Sequence, residues 1–157
     1  MSYNGQHWLP YLGFLLGCTQ SADIPGNQQA VDEITKMLHE YHRAIEQGGL
    51  KAEFEYLDDT DEFFWVPPGY RSALDYDSVA AILNENDRAM SKISLHWDTL
   101  KVFSLRSDLA QFYGTITMMT EDTSGNSTTG HLVETGLVIK RSDGWKLLSG
   151  QSAFFSF

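Results

Sequence analysis

One cysteine, four prolines and eleven basic residues in 157 positions exclude several kinds of protein. Cys18, being alone, can close no intrachain disulfide and build no thiolate metal cluster. Lysine and arginine number 11 against 21 aspartates and glutamates, a net charge of −10. Nucleic-acid phosphates need a clustered basic surface, and the sequence has none. The same deficit argues against electrostatic attachment to an anionic membrane. No apolar run reaches the ~18 residues of a spanning helix. A phosphate-binding glycine loop and a nucleophile elbow are both missing. His39 and His42 are three apart, but His39 falls on a polar helix face, so no set of three metal ligands forms. No cofactor is implied.

What is present is apolar and aromatic: 42% hydrophobic residues, with nine Phe, seven Tyr and four Trp. That is the composition of one globular domain large enough to bury a core. Residues 1–26 stand apart. The run Trp8–Leu16 leads into Gly17 and Cys18, the arrangement of a bacterial lipoprotein signal, although Met1–His7 lacks the usual basic residue. On this reading Cys18 receives lipid, and membrane anchoring comes through it alone. The protein is then exported, as a periplasmic or membrane-anchored lipoprotein. Without the signal it is cytoplasmic. The domain proper is residues 27–157.

Within the domain, Val31, Ile34, Leu38, Tyr41 and Ile45 recur at helical spacing, and Gly48-Gly49 stops the run. A short helical segment carries Leu50, Phe54 and Leu57 inward and dissolves into Asp58–Glu62, read as a solvated acidic turn. Phe63–Val66 is strand-like and Pro67-Pro68-Gly69 turns it. Asp77 is the expected N-cap of a third helix, with Val79, Ile82, Leu83, Met90 and Ile93 on one face. Four long strand-like runs follow: Leu95–Leu105, Asp108–Thr120, Gly130–Lys140 and Trp145–Phe155. Connections this short suit antiparallel neighbours. The expected class is α+β, three helices against a curved antiparallel sheet.

Two stretches carry a resemblance. Phe63-Phe64-Trp65-Val66-Pro67-Pro68-Gly69-Tyr70, entering a helix at Asp77-Ser78-Val79, is one; Gly144-Trp145-Lys146-Leu147-Leu148-Ser149-Gly150-Gln151-Ser152 is the other. With the helix order, they resemble the SnoaL-like branch of the nuclear transport factor 2-like superfamily over about residues 28–157. The resemblance implies a cone-shaped sheet wrapped around the first helix, with a pocket at the open end. Members include ketosteroid isomerases, polyketide cyclases, dehydratases and binding modules without catalysis. Two departures count. The isomerases' aspartate before a proline is replaced by Val66 before Pro67, and the last-strand histidine of many members is replaced by Ser149, Gly150 or Gln151.

Strict alternation then sorts the strand residues. Leu100 and Val102 share a face with His96 and Asp98, which places that pair inward as an oriented acid and base. His131 shares a largely apolar face with Val133, Leu137 and Ile139, a second inward candidate, while Glu134 falls outside. Phe112 points into the cone. Gln151 serves either a ligand or the backbone, and Asn86 either a local bond or the cavity. Tyr41 is on the buried face of the first helix, whose end looks into the pocket, and its hydroxyl serves either core packing or a ligand; Trp65 and Tyr70 flank the proline turn as an aromatic wall. The first functional reading is a binding module for a small hydrophobic or polyketide-like molecule. The second is a cofactor-independent isomerase, cyclase or dehydratase using His96 with Asp98, or His131. The third is a homodimer through the outer sheet face, Gln111, Tyr113, Thr115, Thr117 and Met119.

Overall fold

The computed structural model describes residues 27–156, so Cys18 and the signal reading lie outside the described residues. Helix α1, Gln28–Gly48, starts at Asn27, whose side chain accepts a hydrogen bond from the Ala30 N–H at 3.2 Å. Its buried face is Ala30, Ile34, Leu38, Tyr41, His42 and Ile45. A 3-10 helix, Leu50–Glu55, follows directly. Strand β1 is only Phe64–Val66. Helix α2, Tyr76–Ala89, is capped by Asp75 and not by Asp77: the Asp75 side chain accepts from the Ser78 N–H, and Asp77 sits in the first turn. Four strands complete the chain: β2 (Met90–Arg106), β3 (Leu109–Asp122), β4 (Ser127–Arg141) and β5 (Gly144–Phe155).

The sheet order is β1-β5-β4-β3-β2. The four long strands are antiparallel neighbours, and β1 adds to β5 in parallel. A parallel pair needs a long crossover, and the whole meander supplies it. The sheet curls because β2 is bulged three times, near Ser91, at Asp98 and near Leu105, and each bulge sharpens the local twist. The concave face closes over α1, which packs chiefly on β2. Phe112, Ile34, Leu38, Ile45, Ile116, Leu147 and Val138 are fully buried there.

Trp97 lies at the centre of this core. Its indole stacks on His42 with ring centroids 4.5 Å apart, meets Phe112 edge-on at 6.1 Å, and donates to the Leu38 carbonyl at 3.3 Å. The ring rests against the backbone at Gly114, where a Cβ would fall 2.7 Å from it. The acidic turn is less solvated than its composition suggests. Asp58 is 2% exposed and receives two hydrogen bonds from Arg141, at 2.8 and 2.7 Å. Its own N–H donates to the Leu147 carbonyl, so the turn is tied to β5.

His42 is buried, and neither ring nitrogen has a hydrogen-bond partner. Burial pushes its pKa down to about 3. The ring is therefore neutral in the fold, while an unfolded chain protonates it below about pH 6.5. Stability from this group is present above that value and is lost as pH falls toward 3. Replacing His42 by Phe, which keeps a ring on Trp97, is expected to stabilise the protein by about 2 kcal/mol at pH 5 relative to wild type. At pH 8 the change should be under about 1 kcal/mol. Urea unfolding at both pH values checks this; an equal effect at each would mean that His42 does not stay neutral in the fold.

Candidate functional site

At the open end of the cone lies a cavity of about 260 Å³. Its wall is mostly apolar: Leu50 and Leu57 from the segment after α1, Val79, Ile82 and Leu83 from α2, Met90, Ile93 and Leu95 from β2. Met118, Leu132 and Leu147 come from β3, β4 and β5. Tyr70, Asn86 and Phe154 also line it and are exposed, which places them at its rim.

Two carboxyl groups interrupt this apolar wall. Glu53 accepts a hydrogen bond from the Tyr41 hydroxyl at 2.8 Å. It is held there by its 3-10 helix, which is pinned to α2: the Leu50 N–H donates to Asp87 at 2.9 Å, and Lys51 pairs with the same carboxylate at 3.2 Å. Glu134 is 7% exposed and lies in the middle of β4. Its Oε2 accepts from the Ser152 hydroxyl at 2.8 Å, and Ser152 in turn accepts from the Trp65 indole N–H at 3.1 Å. Glu134 Oε1 has no partner. The Trp65 ring lies flat enough on β5 to make this bond because residue 150 is glycine; a Cβ there would stand 2.7 Å from the ring.

Burial raises both acids. Glu134 is pushed up to about 7 by loss of solvent. Glu53 is pushed up to about 8, by burial first and then by the negative charge of Glu134, against the Tyr41 hydrogen bond. The Tyr41 phenol is held well above its usual value by burial and by both carboxylates, so it stays protonated. Near neutral pH the site therefore holds one acid that is mainly protonated beside one close to half-ionised. Two such acids, close enough for the charge of one to raise the other, can hold and exchange a proton with a bound molecule.

The fold gathers some of the sequence candidates and disperses others. Tyr41, Trp65, Tyr70 and Asn86 line the cavity. Phe112 does not: it is wholly buried beneath, packed edge-on to Trp97. His96 and Asp98 are exposed on the outer face. The bulge at Asp98 is the cause. Trp97 pairs with Ile116 and Thr99 with Thr115, so one residue is skipped and the alternation changes phase. Leu100 and Val102 still face inward, but before the bulge the inward set is Ile93, Leu95 and Trp97. His131 is also on the outer face, where its Nδ1 meets the Thr117 hydroxyl at 3.3 Å; that hydroxyl also bonds Asp98 at 2.9 Å. Gln151 is exposed on the same side, for a like reason: Leu147 pairs with Val138 and Ser149 with Leu137, leaving Leu148 bulged. Glu134, read as outward, faces in. The sequence carried one signal for it: between Asp122 and Lys140, Glu134 is the one residue among Asp, Glu, Lys and Arg. Among the described residues, no group of three or more His, Cys, Asp or Glu could hold a metal ion.

A five-stranded curled sheet over a long helix, with an acid-bearing apolar cavity at its open end, defines a cone-shaped α+β protein. Its fold is that of the nuclear transport factor 2-like proteins. A candidate dehydratase of that family from Streptomyces avermitilis matches with a TM-score of 0.69 at 18% identity, over 83% of this chain and 99% of its own. A candidate aromatic ring hydroxylase from Novosphingobium aromaticivorans matches with a TM-score of 0.71 at 14% identity, over 83% and 92%. A nuclear transport factor 2-like protein of unknown function from Shewanella oneidensis matches with a TM-score of 0.59 at 20% identity, over 79% and 98%. No family model and no curated protein matches the sequence.

Proposed function

We propose that the protein binds a small, largely apolar molecule in the cone cavity. The supporting observation is a preformed apolar space whose polar groups are few and convergent, Glu53 with Tyr41 and Glu134 with Ser152. A space of about 260 Å³ suits a compact ring system or a short chain.

A second reading is favoured by the two raised acids: a cofactor-independent proton-transfer catalyst, an isomerase or dehydratase in kind. Glu53 and Glu134 would be its acid and base, in place of His96 with Asp98, or His131. One protein of this fold, from Streptomyces avermitilis, is a candidate dehydratase. One experiment separates the readings. Protein purified from its own host is analysed by native mass spectrometry for a retained molecule, which is then returned to fresh protein in D₂O. Binding alone leaves the molecule's mass unchanged, whereas a proton-transfer catalyst washes deuterium into it, and Glu134→Gln stops the exchange. Retention undiminished by filling the cavity with Leu83→Trp would place the bound molecule elsewhere and remove both readings.

A further inference from the structure

Glu134 lines the cavity, and its Oε1 is buried with no hydrogen-bond partner. A buried carboxylate oxygen without a hydrogen bond forfeits its hydration with nothing in return. The hydroxyl and indole donors beside it are already committed. The Ser152 hydroxyl is already given to Oε2, and the Trp65 N–H is given to Ser152. The Tyr41 hydroxyl is given to Glu53. Across the sheet, Glu134 stands opposite Gly114 on β3, which has no side chain. Among the described residues, the lining from α2, β2 and β3 is Val79, Ile82, Leu83, Asn86, Met90, Ile93, Leu95 and Met118, none of it charged. The titratable groups in the lining are Tyr41, Glu53, Tyr70 and Glu134, three of them acids or phenols within reach of one another and none of them cationic.

We propose that the occupant is a small apolar cation, an ammonium group on an aliphatic or aromatic frame, with Glu134 Oε1 as its counter-charge. This rests on the ligand-binding reading above. The ammonium N–H donates to Glu134 Oε1, and the apolar frame lies along the leucine, isoleucine and methionine wall. Tyr41, Trp65 and Tyr70 add ring surfaces on which a cation is favoured. The chain's net charge of −10 draws cations and repels anions at long range. An ammonium also eases the conflict between the two acids, since its charge offsets that of Glu134, which adds to burial in raising Glu53.

The sign of the pH dependence follows. Glu134 must be ionised to serve as counter-charge, and an alkylammonium stays protonated up to roughly pH 10. Binding should therefore tighten as pH rises from 5.5 to 8 and should release a proton near neutrality. Calorimetric titration tests this with matched pairs: benzylamine and benzyl alcohol, cyclohexylamine and cyclohexanol. At pH 8 the amine of a pair should bind roughly tenfold more tightly than its alcohol. The gap should close at pH 5.5 and in Glu134→Gln, while Glu53→Gln keeps it. Alcohols that bind as well as their amines at pH 8 would overturn the cation and leave the cavity as a neutral-ligand site. An amine preference that survives Glu134→Gln, in protein that still unfolds cooperatively, would overturn the assignment to Glu134. No binding by either member of any pair at millimolar concentration would overturn the proposal and the cavity reading together.

Discussion

Trp97→Ala should destabilise the domain by roughly 3–5 kcal/mol, the largest loss expected from any single truncation here. The indole is 6% exposed and occupies the space between α1 and the concave face. Removing it takes away the stacking surface of His42, the edge contact with Phe112 and the bond to the Leu38 carbonyl. The space left cannot collapse easily. On one side is the Gly114 backbone within the sheet, and on the other is a 21-residue helix whose turns are fixed by their own hydrogen bonds. A loss of this size corresponds to a fall in Tm of about 10 °C or more. Thermal and urea unfolding measure it. A loss under about 1 kcal/mol would mean that the core is not centred on this ring.

The second large effect is electrostatic. Arg141→Ala should lower stability chiefly through Asp58, because the guanidinium itself is 30% exposed and its own release to water costs little. The damage is to Asp58, which loses both charge-assisted hydrogen bonds while remaining at 2% exposure. Arg141 is the main cause that holds the Asp58 carboxyl below its ordinary value. A depressed carboxylate contributes stability above its unfolded pKa and loses it as pH falls through the folded one. Wild type should therefore lose this contribution below about pH 4, and Arg141→Ala should lack that acid-side fall. Adding Asp58→Ala to Arg141→Ala should recover part of the cost, since no charge is then left uncompensated. A double variant less stable than Arg141→Ala would contradict the pairing.

Both effects bear on what the amino-acid pattern reveals. The α1 face was legible because helical spacing is local: Ile34, Leu38, Tyr41 and Ile45 are where their periodicity puts them. The meander was legible for the same reason, since long strands joined by tight turns have few alternatives. The parallel pairing of Phe64–Val66 with Ser149–Gln151 was not, because three residues carry no register of their own. The candidate site failed on single residues. Alternation is reliable only while the ladder is unbroken, and skipped residues at Asp98 and Leu148 reversed the faces on which His96 and Gln151 were placed. Glu134 was misplaced without a bulge. Its neighbours Val133, Leu137 and Ile139 are apolar, yet Val133 is 42% exposed on the convex face, so the more apolar face of β4 is not the inner one. Asp58 was misjudged because its partner lies 83 positions away. Trp65 and Tyr41 lie where local pattern puts them, Trp65 next to the Pro67-Pro68 turn and Tyr41 on the apolar face of α1, and both line the cavity.

A ligand bound in the cone as proposed meets the Glu134–Ser152–Trp65 chain of hydrogen bonds. The most direct measurement is the indole N–H region of a ¹⁵N-resolved NMR spectrum during titration with benzylamine at pH 8. Trp65 donates into that chain of bonds, whereas the Trp97 and Trp145 indoles donate to the Leu38 carbonyl and to Glu33, away from the cavity lining. The Trp65 resonance should move with saturation while those of Trp97 and Trp145 hold still. A titration in which Trp65 stays fixed as binding saturates would contradict it.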